Sequence, residues 1–148
     1  MSDYVAKLNW SLGDGVLEAG GYNVNHRMRF AGGLEATMTS APDYGGDARY
    51  VNPEEAIAAS LSSCHMMTFL ALCAKAGWQV TSYEDSAVAR LGKTQDGRTC
   101  VASIHLHPVT QFAKGHDKTT SELEEMHERA HRYCFVANAL SCEMKVVL

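Results

Sequence analysis

Apolar and polar residues alternate along the N-terminal third of the chain. Over 22–30, Tyr22, Val24, His26, Met28 and Phe30 share one parity, while Asn23, Asn25, Arg27 and Arg29 share the other. That two-residue period predicts a strand with two unlike faces. Upstream, Val5, Leu8 and Trp10 precede a Gly13-Asp14-Gly15 turn, and Gly20-Gly21 marks a second break. Gly32-Gly33 predicts a hairpin turn with a return strand over 34–39. The stretch 40–51, punctuated by Pro42, Gly45 and Gly46, reads as a loop.

At Asn52-Pro53-Glu54-Glu55 the pattern changes to that of a helix start. Asn caps exposed N–H groups, Pro suits the first helical position, and two carboxylates meet the positive end of the helix dipole. The helix is expected to run to about Lys75, with Gly77 as its stop. Ile57, Leu61, Met66, Met67, Phe69, Leu70 and Leu72 make it apolar nearly all round, so both sides should be covered, by sheet or by a partner subunit. Further on, 78–91 and 100–112 read as two long strands around a Gln95-Asp96-Gly97 turn. Thr120-Ser121-Glu122 starts a second helix to about Phe135, and 146–148 closes as a short strand. This order indicates an α+β fold in one domain, 1–148, without repeat or linker.

Composition narrows the class of function. The 148 residues are 46% hydrophobic and 20% charged, which is globular rather than disordered. Thirteen basic against seventeen acidic residues give −4, and no run of Lys or Arg appears. That argues against a nucleic-acid partner. The apolar run 56–74 has about the length of a membrane span, roughly 20 residues. Ser60, Ser62, Ser63, His65 and Thr68 interrupt it, and the mean hydropathy of the chain is −0.18, so a buried helix is expected and not a membrane segment. The first residues carry no apolar leader, and five cysteines is an odd number. Both features point to a reducing, cytoplasmic setting, where a disulfide would be catalytic rather than structural.

Cys64 lies in the middle of the apolar helix and Cys134 at the end of the second. Each, taken alone, reads as a small core residue, as do Cys73, Cys100 and Cys142. A second motif competes. His127-Glu128-Arg129-Ala130-His131 satisfies H-E-x-x-H on a helix, the arrangement of zinc hydrolases. Only about one further turn follows it, and Cys134 as third ligand would close the site to water. A solvated helix face is the preferred reading, and no metal is expected.

The residues from Asn52-Pro53-Glu54-Glu55 through Ala58-Ala59 to Ser62-Ser63-Cys64-His65-Met66 resemble the central helix of the OsmC/Ohr family, the osmotically induced and organic-hydroperoxide-resistance proteins. Ala130-His131-Arg132-Tyr133-Cys134 with Val136-Ala137-Asn138 resembles that family's second-cysteine helix. The likeness covers nearly the whole chain. It implies an OsmC-like fold, with sheets wrapped around long central helices in an intertwined homodimer. It also implies a thiol-dependent peroxidase, with Cys64 peroxidatic, Cys134 resolving, Glu54 the family's acidic residue and Arg27 its activating arginine. Arg49 is the alternative alignment for the arginine. No bound cofactor is implied; an external dithiol, of lipoyl type, would restore the thiols. Phe135 in place of a proline, Ala139 in place of a serine, and His65 after Cys64 mark an OsmC-like branch.

The chemistry is consistent with that resemblance. A thiolate is the nucleophile, and burial in an apolar helix raises the thiol pKa, so a cation must stand beside the sulfur. Arg stays charged, and a carboxylate can hold its fork by two hydrogen bonds. Ten residues along one helix put Glu54 and Cys64 about 15 Å apart, so the two share a site only through a bend or a second subunit. The alternative function is a non-catalytic protein that binds a small, lipid-like molecule on the same fold.

Overall fold

A computed structural model describes residues 2–148 of the chain. The chain forms two compact units, one reaching to Ala56 and one running from Ile57 to Leu148. The first unit holds an antiparallel sheet of β1 (Ala6–Asn9), β2 (His26–Phe30) and β3 (Glu35–Met38), with β2 in the centre. The Phe30 and Leu34 backbones close the β2–β3 turn, and Gly33 there has φ 86°, a conformation that costs a side chain dearly. The strand expected over 22–30 begins only at His26, because Asn23 folds its side chain onto the Asn25 N–H at 2.9 Å and makes a local turn.

Helix α1 (Pro53–Lys75) spans the expected range. Its start is fixed reciprocally: the Glu55 N–H donates to Asn52 Oδ1 at 2.8 Å, and the Asn52 N–H donates to Glu55 Oε2 at 3.2 Å. At the other end the Trp78 and Gly77 N–H groups close back onto the Cys73 and Ala74 carbonyls, with Gly77 at φ 74°.

The second unit adds β4 (Val80–Glu84), β5 (Val88–Lys93), β6 (Thr99–Leu106) and β7 (Val109–Phe112), then α2 (Thr120–Tyr133), α3 (Phe135–Ala139) and β8 (Glu143–Val146). β4 pairs with β7, while β5, β6 and β8 form a sheet in which β6 and β8 are parallel. Two expected long strands are thus four. Pro108 lacks an N–H and ends the pairing of β6. Between β4 and β5, Asp85 leaves the sheet to accept the His107 N–H at 2.7 Å and the Ser62 hydroxyl at 2.5 Å. One carboxylate therefore ties both strand breaks to α1.

The buried stripe of α1 is Ala58, Leu61, His65, Phe69 and Cys73, and it serves two apolar clusters. Ala58 and Leu61 pack with Ile104, Leu106, Cys134 and Ala137. Phe69 and Cys73 pack with Met126 and Ala130 of α2. Each large side chain so buried is worth about 1.5–3 kcal/mol. The opposite stripe, Ala59, Ser63, Met67 and Ala71, is exposed, so within this chain α1 is covered on one side only, against the expectation of two. By length and apolar composition α1 would suffice to cross a bilayer.

The second helix also departs from expectation. Its N-cap is Thr119, in a full capping box with Glu122, and the helix stops at Tyr133 rather than running to Phe135. Cys134 has extended backbone, and α3 starts directly after it. The H-E-x-x-H face is not solvated throughout: His127 is 2% exposed and lies in the interior.

Candidate functional site

Two cysteines far apart in sequence meet where α1 passes the α2–α3 break. Cys64 is half-buried on α1, and Cys134 is fully buried between the two helices. All five cysteines are free thiols. Cys134 is at once the last cap of α2 and the N-cap of α3, its sulfur accepting the Ala137 N–H at 3.4 Å. The chain can place it there because the extended residue turns its side chain inward while Tyr133 and Phe135 on either side face solvent.

The surroundings bias the two thiols in opposite directions. Burial pushes the Cys64 thiol up, but a hydrogen bond from the Cys134 thiol, the Val136 and Phe135 N–H groups and the Thr68 hydroxyl together bring it below its ordinary value. Burial pushes Cys134 up to about 11, and its hydrogen bond to Cys64 holds its proton further. Donors that stabilise the ionised form lower a pKa, and the same contact raises it in the donor. Of the two, Cys64 is thus the sulfur that ionises more readily, with Cys134 as its proton-bearing neighbour. Cys73, in the other cluster, is pushed up to about 11 by burial alone.

The α3 amides and Thr68 were not among the candidates drawn from sequence. Thr68 lies one turn beyond Cys64, and that spacing was a usable signal. The break that aims the Phe135 and Val136 amides inward leaves no mark in the hydrophobic pattern.

The other candidates, Arg27 with its alternative Arg49, and Glu54, belong to the first unit. Arg27 is on β2, with an exposed side chain 3.6 Å from Glu35, which also pairs with Arg29. Arg49, in the loop before α1, is held by Asp47 through two guanidinium nitrogens. Glu54 sits in the first turn of α1, half-buried.

Next to Cys64 the chain buries a polar pair. His65 Nε2 and His127 Nδ1 are 2.9 Å apart, and the His127 ring stacks on Phe69 with centroids 4.2 Å apart. Burial, with the neighbouring His131, takes His65 down to about 4 against the pull of Asp85; burial and His65 take His127 down to about 4. Both rings are therefore neutral at pH 7. Among the described residues, no three His, Cys, Asp or Glu side chains converge to hold a metal ion.

The fold matches solved structures along its whole length. An OsmC-like protein of unknown function from Vibrio cholerae shares 36% identity, with 99% of each chain covered and a TM-score of 0.91. An organic hydroperoxide resistance protein from Elizabethkingia anophelis has 20% identity, covers 99% of this chain and 96% of its own, and has a TM-score of 0.75. One from Legionella pneumophila has 16% identity, covers 100% and 98%, and has the same TM-score of 0.75. Among curated proteins none matches. A family model described as OsmC-like protein matches residues 45–148, a span that takes in both cysteines of the pair, and by that match the chain belongs to the OsmC-like family.

Proposed function

We propose that this protein is a thiol peroxidase that reduces organic hydroperoxides to alcohols. The feature that supports it best is the pair itself: half-buried Cys64 packs against the apolar cluster that buries Cys134, and its thiol is brought below its ordinary value while that of Cys134 is pushed up. The Cys64 thiolate attacks the terminal peroxide oxygen, the O–O bond breaks, and the alkoxide leaves as alcohol after taking a proton. Cys64 is then a neutral sulfenic acid, so the negative sulfur that held the Cys134 proton is gone. Cys134 ionises more readily, attacks the Cys64 sulfur, and water leaves as the disulfide forms. An external dithiol of lipoyl type reduces it, entering at half-buried Cys64 rather than at buried Cys134. The setting is cytoplasmic. Wild-type protein should consume an organic hydroperoxide with a dithiol present, and Cys64→Ser should not; equal rates would defeat the proposal.

In this reading Arg27, held by Glu54, adds a cation to the thiolate, with Arg49 as the alternative. The expected result is that Arg27→Ala raises the pH midpoint for alkylation of Cys64 with little change in melting temperature. If Arg49→Ala raises it instead, the alternative alignment stands. If neither moves it, the amides and Thr68 suffice and the arginine has no part.

We further propose a homodimer, in which a second copy covers the exposed stripe Ala59, Ser63, Met67 and Ala71 of α1. Light scattering at micromolar concentration should give twice the 16.1 kDa chain mass; a monomer would overturn it.

The binding-protein reading has one observation in its favour. Leu8, Trp10, Leu17, Tyr22, Val24 and His26 line an apolar hollow of about 340 Å³ in the first unit. Retention of a lipid-like ligand by a protein without peroxidase turnover would favour it.

A further inference from the structure

Helix α2 carries Glu124, His127, Glu128 and His131 at helical spacing, so the four side chains share one face. That face lines a hollow of about 280 Å³, faced from the other side by Met144, Lys145 and Val146 of β8. The hollow lies within the second unit, and neither Cys64 nor Cys134 lines it. Its size suits a ligand of few heavy atoms, since pockets for larger organic molecules begin near about 300 Å³. His127 is 2% exposed; its ring is anchored through Nδ1 at His65, and its Nε2 has no partner. His131 Nδ1 is buried and unpartnered as well. Buried polar atoms are nearly always hydrogen-bonded, so two such nitrogens on residues of one wall point to a ligand.

The chemistry of the walls selects the kind of ligand. A carboxylate only accepts hydrogen bonds, and a neutral imidazole always keeps one accepting nitrogen. When His127 donates its Nδ1 proton to His65, Nε2 is left as a bare acceptor. Arg132 reaches Glu128 only at 3.8 Å, with both side chains mostly exposed, and such a contact holds little. Lys145 brings a positive charge on a flexible, exposed side chain, which carries its head out to water while its stem covers apolar surface. Acceptors thus dominate the α2 wall, and Met144 and Val146 make the β8 wall apolar. We propose that this hollow binds a small primary alkylammonium ion. Its three N–H groups donate to His127 Nε2 and to the Glu124 and Glu128 carboxylates, and its hydrocarbon lies on Met144 and Val146. The site is separate from the thiol pair and does not depend on the peroxidase reading.

The experiment titrates n-butylammonium chloride into protein carrying isotope-labelled histidine at pH 7, with the ring nitrogens followed by NMR. Sodium butyrate and 1-butanol, of the same chain length, are the controls. Butylammonium alone should move the His127 and His131 signals saturably, with His127 Nε2 at the shift of a nitrogen that bears no proton. Glu124→Gln and Glu128→Gln together should weaken binding about tenfold, because two charge-assisted hydrogen bonds are lost. Both side chains are exposed, so the double variant keeps the fold. An equal response to butyrate or butanol overturns the proposal, as does a response that never saturates or an unchanged affinity in the double variant. Zinc chloride moving both rings at a lower concentration than butylammonium would assign the pair to a metal and overturn it too. The titration involves no peroxide and no turnover, so it decides this site whether or not the protein is a peroxidase.

Discussion

Treating the reduced protein with one equivalent of an organic hydroperoxide is expected to link Cys64 to Cys134 and to leave Cys73, Cys100 and Cys142 as thiols. A disulfide needs a Cα separation below about 7 Å. Cys134 meets that demand most simply, since Cys64 packs against the apolar cluster that contains it. Cys73 cannot, because nine residues of the same straight helix place it about 13 Å along the axis, in a different apolar cluster. Intact mass should fall by two hydrogen atoms, and peptide mapping should find one crosslinked pair. Cys134→Ser should stop after the first turnover and accumulate Cys64 sulfenic acid, trapped by a dimedone-type reagent. A crosslink from Cys64 to Cys73 or Cys142, or a sulfenic acid that persists in wild type, would refute the assignment.

The second large effect is on stability in acid. His65 and His127 titrate near 4 in the fold against about 6.5 unfolded. The unfolded chain therefore takes up protons that the folded chain refuses. This contribution is fully present above about pH 6.5 and is lost as pH falls through the window toward 4. One pKa unit corresponds to about 1.4 kcal/mol, so each ring accounts for about 3 kcal/mol at pH 4. The two together give less than the sum, because each proton disfavours the other across 2.9 Å. The groups facing the pair are His131 of α2, which opposes protonation of His65, and Asp85, which favours it.

Urea midpoints for wild type should drop steeply between pH 7 and pH 4.5. A double variant, His65→Gln with His127→Asn, keeps one hydrogen bond across the site without a titrating ring. It should be less stable at pH 7 and show a flatter pH dependence. Parallel profiles for the two proteins would mean that the carboxylates, not this pair, govern acid unfolding.

Local chemistry makes part of this molecule legible from the sequence alone. The start of α1 was readable because Asn52, Pro53 and the two glutamates act within one turn; Asn52 caps the Glu55 N–H as expected, and the return bond from the Asn52 N–H to the Glu55 carboxylate comes in addition. Its end at Lys75 followed from Gly77 for the same reason. The family motif around Cys64 was readable too, and with it the α+β fold that the solved relatives share. Strand breaks were not. The β4–β5 break rests on Asp85 reaching Ser62 and His107, contacts more than 20 residues apart that no window along the chain contains. His127 looked like one charge among many on a polar helix, yet it is interior because His65 is there to meet it. The thiols show the division most plainly. Residue type and helix position alone read Cys64 and Cys134 as small core residues; it was the family resemblance, carried by their near neighbours in sequence, that marked them as candidates. Which of them ionises more readily was decided by tertiary structure. Cysteine's own pKa is the same at both positions; burial, the α3 amides and the direction of one hydrogen bond push the two apart, and these exist only once α1 and the α2–α3 break have packed together.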